Sequence, residues 1–285
     1  MTLAGRSGPY QWRYSVRAAL FAGIATACGL AAGAGGAAAG DMSTMSGPGW
    51  IVTVGAMATY GPEYDGSDKM SLGGMPSLSW RRAGEAPVFT APDDSFGLTL
   101  YKTQAFRFGL AGSLRVGRSD SDDERLEGLD NYSWTVEGGV FAEYWPIANL
   151  LRTRVEVRHG FDDNDGFVAD LGADLVGRYG RFTLSAGPRL SLADSNVMDL
   201  KYGVSPEAAA RNGQVSAFSA GGGIESVGVS GAVSYALTDT VTTTLYGRYD
   251  RLMGDAADSP ITKEFGSADQ FTVGIGLTYS FNVNP

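Results

Sequence analysis

The residues best suited to chemistry are charged side chains that alternate along short segments. Arg152, Arg154, Glu156 and Arg158 occupy every second position, which places them on one face of a β-strand. Other charges placed in the same way are Arg107, Arg115, Glu137, Glu143, Asp170, Asp174, Arg189, Arg248 and Asp250. If the strands close into a barrel, these side chains project into its lumen. They are then either a paired ion network that fills and stiffens the barrel or the charged lining of a pore.

Candidates for catalysis or metal binding are few. His159 is the only histidine, and a lipase or deacylase needs a histidine beside a serine nucleophile. The alternation puts His159 on the face opposite to the charges, at a strand end, where we expect an interfacial polar residue. Residues 162–166 begin like a calcium loop but lack a glutamate six residues after Gly166, so we expect a solvated loop. The sequence thus predicts no catalysis, no metal and no cofactor.

The last segment, residues 271–281, has the pattern of a membrane-facing strand. Its odd-numbered residues are apolar or aromatic, and its even-numbered residues are Gly, Ser or Thr. Alternation of this kind separates lipid from a polar interior in a transmembrane barrel. The segment also resembles the C-terminal assembly signal of outer-membrane barrels, with Gly276, Tyr279 and Phe281 at the characteristic positions.

The N-terminus has the features of a secretory signal. Arg6, Arg13 and Arg17 precede an Ala/Leu/Gly-rich run, and three alanines at 37–39 fit a signal peptidase site. We expect residues 1–39 to be a cleaved signal peptide and residues 40–49 a short linker. Cys28, the only cysteine, lies inside the signal. A lipoprotein is the alternative, but Ala25 stands where Leu, Val or Ile is preferred.

Net charge and hydropathy argue against a nucleic-acid-binding protein and against a protein with transmembrane helices. The chain has 22 basic and 31 acidic residues, and removal of three signal-peptide arginines leaves 19 minus 31, or -12. Such an acidic protein is a poor candidate for binding nucleic acid. Beyond the N-terminus no apolar run reaches the length of a transmembrane helix, so any membrane crossing requires a closed barrel.

The alternating segments predict an all-β fold, a transmembrane antiparallel up-and-down β-barrel of about 12 strands over residues 50–281, followed by a tail at 282–285. With 12 strands both termini lie in the periplasm, the turns there are short, and the long loops are extracellular. The segments at 86–91 and 96–101 are the weakest, and 10 strands remain if both are loops. Ser205, Pro206 and Glu207 predict a short helix at 205–211.

Four loop motifs are more specific than the strand pattern. They occupy residues 60–68, 166–173, 202–211 and 254–263, in this order along the chain. With these motifs the chain resembles the MipA/OmpV family of outer-membrane proteins, whose namesake is the MltA-interacting protein. Site positions in the first and last motifs are Tyr60, Gly61, Pro62, Glu63, Tyr64, Gly66, Ser67, Asp68, Gly254, Asp255, Asp258, Ser259 and Pro260.

The resemblance implies a protein of the bacterial outer membrane that links a murein lytic transglycosylase to a peptidoglycan synthase. Some members of the family are described instead as permeation routes or adhesins. We therefore carry two hypotheses: a scaffold for cell-wall enzymes, and a passive channel for small hydrophilic solutes, including antibiotics. The scaffold must bind through periplasmic turns such as 81–85 and 146–149, and the channel needs an open lumen.

Overall fold

A computed structural model describes residues 49–161 and 166–283. Eleven strands occupy these ranges: β1 (Trp50–Pro62), β2 (Met70–Arg82), β3 (Phe96–Lys102), β4 (Phe106–Arg115), β5 (Thr135–Ile147), β6 (Leu151–Phe161), β7 (Phe167–Tyr179), β8 (Phe182–Ala193), β9 (Gly223–Ala236), β10 (Val241–Leu252) and β11 (Asp269–Val283). All pairings are antiparallel, in the order β2-β1-β11-β10-β9-β8-β7-β6-β5-β4-β3. The sheet is therefore a nearly closed up-and-down barrel, which confirms the predicted fold class. No helix in the described ranges is long and apolar enough to cross a membrane.

The outer face of the barrel is apolar. On β11, Phe271, Val273, Ile275 and Leu277 are between 52% and 62% exposed, whereas the glycines between them are buried. Trp50 and Tyr60 lie exposed at the two ends of β1. Apolar side chains this exposed are unfavourable in water, and they are suited to a lipid environment with aromatic residues at its edges.

One predicted strand is wrong. Residues 86–91 form no ladder with a neighbour, whereas the other weak segment forms β3, so the barrel has eleven strands rather than 12. β2 and β3 are the two edges of the sheet and run in the same direction. The connection between them, residues 83–95, therefore returns along the barrel. Its acidic side chains pair with arginines of the lumen instead of its backbone pairing with a strand.

Four short helices lie in the long loops at one end of the barrel. They are α1 (Ser195–Tyr202), α2 (Pro206–Asn212), α3 (Gly254–Asp258) and α4 (Pro260–Phe265). The Ser205 side chain accepts a hydrogen bond from the backbone N–H of Ala208 and caps α2, which confirms the predicted helix. Asp194 caps α1 in the same way, and Ser259 caps α4.

Several sequence-based expectations lie outside the described residues. These are the signal peptide, the lipoprotein alternative at Cys28, nearly all of the linker, the loop at 162–165 and the end of the tail. At the C-terminal side, β11 extends past Phe281 to Val283 and pairs with β1 from Trp50 to Tyr60.

Candidate functional site

The charged residues of the lumen form one continuous network of ion pairs. It begins at Arg107 with Glu143 and ends at Arg248 with Asp250, on the far side of the barrel. The thirteen positions singled out from the sequence all belong to it, and they are Arg107, Arg115, Glu137, Glu143, Arg152, Arg154, Glu156, Arg158, Asp170, Asp174, Arg189, Arg248 and Asp250. The strand period thus brings to one interior side chains that are far apart in sequence.

Arg152 is the most enclosed cation of this network, with 1% of its surface exposed. Its Nε lies 2.8 Å from Glu143 Oε2, and its Nη1 lies 2.8 Å from Asp174 Oδ2. The remaining nitrogen, Nη2, lies 2.5 Å from Asp94 Oδ2. Desolvation of a guanidinium is costly, and the three carboxylates around Arg152 compensate for it.

Asp94 belongs to an inward-facing turn, residues 92–95, which we call the acidic turn. Asp93 in this turn accepts from Nε and Nη2 of Arg189 at 2.7 and 3.2 Å, and Nη1 of Arg248 is 3.3 Å away. Ser95 donates a hydrogen bond to Glu156. The segment before the turn is also directed inward, since the Phe89 ring lies against Trp145 and Arg152. The acidic turn therefore occupies part of the lumen.

Asp93 and Asp94 were not identified from the sequence, where they read as a polar separator between two weak strands. The balance of charges among the predicted lumen residues could have indicated these two carboxylates. The predicted lumen residues comprise seven arginines but six carboxylates, so the strands alone leave one positive charge in excess. A pair of acidic residues beside the weakest predicted strand was the natural source of compensation.

At the opposite end from the short turns, the long loops pack into a cap with two hydrophobic clusters. One cluster joins Tyr64 and Leu126 to the helices α2 and α4 through Ala208, Ile261 and Phe265. The other cluster joins α1 and α3 to the rims of β7, β8 and β10. Residues of all four sequence motifs contribute to these clusters, so the motifs that are separate along the chain are neighbours in the cap.

A second set of charges lies beneath the cap. Lys201 Nζ lies 2.9 Å from Asp65 Oδ2 and 2.7 Å from Glu225 Oε1. Burial alone would lower the pKa of Lys201, but the two carboxylates outweigh it and raise that pKa. Tyr132 lies beside the same charges under the guanidinium of Arg118, and burial raises its pKa to about 12. The cap is therefore held together by charge pairs as well as by apolar contacts.

The first motif divides between strand and loop. Tyr60, Gly61 and Pro62 are the last residues of β1, which corrects the expectation that the loop begins at Tyr60, and Glu63 follows directly. Tyr64 is buried in the cap, and Asp68 binds Nη2 of Arg125 at 2.5 Å. Gly66 has a φ of +90°, and the backbone of Ser67 bridges to Gly266. The left-handed conformation explains why this motif needs glycine.

The last motif caps and links the two helices of its loop. Gly254 begins α3 with a φ of +50°, and Asp255 accepts a hydrogen bond from the Gly221 N–H at 2.7 Å. Asp258 pairs with Lys263, while the fully buried Ser259 donates to the carbonyl of Tyr202 at 2.7 Å. Pro260 is the first residue of α4, a position where its missing N–H costs nothing.

The residues of the assembly signal lie on β11. Gly276 packs against Met57 of β1, and a Cβ there would lie 3.1 Å from Met57 Cε. Tyr279 and Phe281 stack with ring centroids 5.9 Å apart on the outer face and pair with Val54 and Val52. This end of β11 therefore joins the last strand to the first.

His159 lies on the outer face, where its ring contacts Phe167 with centroids 4.4 Å apart. This is the position that the alternation predicts, at the lipid-facing rim. Within residues 49–161 and 166–283, no group of three or more His, Cys, Asp or Glu residues is placed to hold a metal ion. Among the described residues, the lumen network contains the largest group of charged side chains in contact with one another.

Comparison with protein families identifies the relatives of this chain. The family model described as "MltA-interacting protein MipA" matches residues 54–281, which is most of the chain. The chain belongs to the MipA family. It is accordingly an outer-membrane β-barrel. No curated protein matches the sequence.

Solved structures similar to this MipA-family barrel are also outer-membrane proteins. The NanC porin is 9% identical and covers 81% of this chain and 98% of its own, with a TM-score of 0.39. An outer membrane channel from Pseudomonas putida F1 is 10% identical, with coverages of 82% and 96% and a TM-score of 0.38. OprG from Pseudomonas aeruginosa is 12% identical, with coverages of 84% and 99% and a TM-score of 0.26. These scores are too low to transfer any function to this chain.

Proposed function

We propose that this MipA-family barrel is a non-catalytic scaffold that holds cell-wall enzymes at the inner side of the outer membrane. The observation that carries the proposal is the filled lumen: the acidic turn lies among the arginines, and Arg152, Glu143 and Asp174 are almost fully buried. This filling favours a scaffold over an open channel, because the acidic turn takes up space that a water path would need. The family description, MltA-interacting protein, supports a lytic transglycosylase as one partner. A peptidoglycan synthase as the second partner is proposed only from the resemblance of the sequence motifs to the family.

The binding surface in this proposal is the short-turn end, which faces the periplasm. The guanidinium of Arg81 donates to the Glu85 carbonyl at 2.5 Å, and Lys102 pairs with the Glu85 carboxylate at 2.9 Å. Arg82 lies exposed beside them, above the ring of Trp50. The turn predicted at 146–149 is shorter than expected, because Pro146 and Ile147 belong to β5. Residues 148–150 form the connection to β6, and Asn149 in it has a φ of +62°. These ordered turns present both charges and aromatic edges to a partner.

The experiment is a binding measurement with the purified barrel in detergent and a soluble murein lytic transglycosylase. Arg82→Glu reverses the charge at the periplasmic turn and is expected to weaken binding at least tenfold. Arg211→Glu makes the same change of charge on the exposed surface of the cap and should leave binding unchanged. Absence of binding by the unaltered barrel, or equal effects of both variants, would refute the scaffold.

The passive channel is the second candidate, because the lumen is lined by charges rather than by apolar side chains. It requires the acidic turn to leave the lumen. Planar-bilayer recordings distinguish the two candidates: the scaffold predicts a silent unaltered barrel, and discrete conductance steps at rest would support the channel instead.

A further inference from the structure

The acidic turn is held in the lumen as a ligand would be held. Asp93 is gripped by two nitrogens of Arg189, with Arg248 beside it, while Asp94 faces Arg152 at 2.5 Å and Arg154 at 3.6 Å. Arginines that present two N–H groups to one carboxylate are the usual means by which proteins bind carboxylates and phosphates. Arg189 holds Asp93 in this way, and Arg152, Arg154 and Arg248 each add one further contact to the turn. The four arginines together thus surround two carboxylates as a site for a small oxyanion would.

The arginines do not depend on the acidic turn for their positions. Arg152 is also bound by Glu143 and Asp174, both of which are on strands of the wall. Arg189 is bound by Asp174 at 2.7 Å, and Arg248 is bound by Asp250 at 2.5 Å. Withdrawal of the turn would thus leave each of these guanidinium groups oriented by at least one wall carboxylate.

The charge of the network favours an anion in place of the turn. The wall contributes the seven arginines and six carboxylates named above, so its net charge is seven minus six, or +1. With Asp93 and Asp94 the carboxylates number eight, and the net charge becomes -1. An anion that entered an emptied site would meet an excess of positive charge inside low-dielectric walls, where electrostatic attraction is strong.

The acidic turn also lacks the backbone pairing that fixes the strands in place. Residues 83–95 make no ladder with β2 or β3, and the Ala91 N–H is bonded to Asp94 of the turn itself. No strand pairing must break for the turn to move. By contrast, each wall residue of the network lies in a strand that is paired on both sides.

We propose that Arg152, Arg154, Arg189 and Arg248 form a binding site for a small oxyanion, either a phosphate or a dicarboxylate, which Asp93 and Asp94 occupy in the resting barrel. This inference goes beyond the scaffold and does not rest on it. The chain competes with its own ligand, so the unaltered barrel binds the anion weakly, and displacement of the turn exposes the site.

The test uses the full barrel in detergent with inorganic phosphate as the probe. Asp93→Asn/Asp94→Asn removes the carboxylates from the site. Asp68→Asn/Asp130→Asn removes two carboxylates that pair with arginines on the surface of the cap, so it changes the net charge equally without touching the lumen. Phosphate is compared with chloride at equal ionic strength, and the melting temperature is measured for both variants and for the unaltered barrel.

We expect phosphate to raise the melting temperature of the lumen variant by several degrees and to leave the other two proteins unchanged. Adding Arg189→Gln to the lumen variant should abolish the shift. Replacement of phosphate by succinate determines whether a dicarboxylate is accepted as well. Equal responses of the lumen variant and the surface variant would overturn the proposal.

A folding defect of the double variant does not remove the test. If it refolds poorly, phosphate present during refolding should restore the folded fraction, and identical yields in phosphate and chloride would overturn the proposal. Asp94→Asn alone is the milder variant, since Arg152 keeps two other carboxylates. It should show a smaller phosphate response in the same direction, and no response in either variant would also overturn the proposal.

Discussion

At the scale of single residues, burial and pairing decide what each charge contributes. Arg152 and Glu143 are almost inaccessible, whereas Arg251 and Asp269 pair on the exposed outer rim with side chains 55% and 43% accessible. An exposed pair is screened by water and contributes little. Loss of one partner from a buried pair leaves an uncompensated charge in the interior. The same type of contact therefore has very different consequences at the two positions.

Arg152→Ala is expected to destabilise the barrel by about 3–5 kcal/mol, because Asp94, Glu143 and Asp174 would remain buried without their shared cation. Arg251→Ala, the matched exposed variant, should cost about 1 kcal/mol or less. Urea unfolding of the refolded barrels, followed by tryptophan fluorescence, gives both values. Equal losses would mean that the lumen is well hydrated.

Asp123 makes the stability of the cap dependent on pH. Burial tends to raise its pKa, but hydrogen bonds from Arg125 and Lys69 prevail and hold that pKa well below its usual range. Its contribution is therefore present above the unfolded value of about 4 and is lost as pH falls through the depressed pKa. We expect amide protection in residues 118–131 to decrease below about pH 4. In Asp123→Asn this part of the pH dependence should be missing, and an unaltered profile would contradict the assignment.

At the scale of elements, the loop motifs carry the cap and the strands carry the membrane face. The loop after β1 turns sharply at Gly66, whose φ of +90° is disfavoured for residues with a side chain. Gly84, in the connection after β2, has a similar φ of +86° but lies in open space. Substitutions at these two glycines therefore distinguish the cost of backbone strain, which is present at both positions, from the cost of side-chain crowding, which is present only at Gly66.

Gly66→Ala should destabilise the barrel more than Gly84→Ala. Both substitutions incur the cost of a left-handed residue, about 1–2 kcal/mol, but a Cβ at position 66 would also lie 2.9 Å from Thr262 Oγ1 in α4. Thermal melting monitored by circular dichroism compares the variants. Equal melting temperatures would show that α4 moves aside and that the cap is not tightly packed around the first motif.

At the scale of the whole molecule, the first strand pairs with the last, and the ring stays open between two strands that are consecutive along the chain, β2 and β3. β1 pairs with β11 over eleven residues, while the edge strands β2 and β3 contact each other without forming a ladder. Closure of the ring therefore depends on the pairing of β11 with β1.

Phe281→Ala is expected to slow assembly of the barrel, because the end of β11 must reach β1 before the ring can close. Val283→Ala shortens a nearby exposed side chain of the same strand and should have little effect. The fraction of the heat-modifiable folded form in a refolding time course reports the rate. An equal assembly rate in both variants would contradict a role of Phe281 in assembly.

The sequence by itself determined the features that repeat locally. The period of two along residues 271–281 was sufficient to predict β11 and its lipid-facing side. Ser205 followed by Pro206 was sufficient to predict α2. The family followed from motif order, since four rare sequence motifs occur in the same succession. These features depend on neighbours a few residues apart, which a single sequence displays directly.

Only the tertiary structure decided how the lumen is filled. Residues 86–91 have the composition of a strand, but Asp93 and Asp94 pair with arginines that are 58, 96 and 155 positions away in sequence. The helices α1, α3 and α4 likewise depend on packing against one another in the cap. Short segments are marginal alone, and long-range contacts decide between strand, helix and inward turn. Those contacts exist only once the barrel has closed around them.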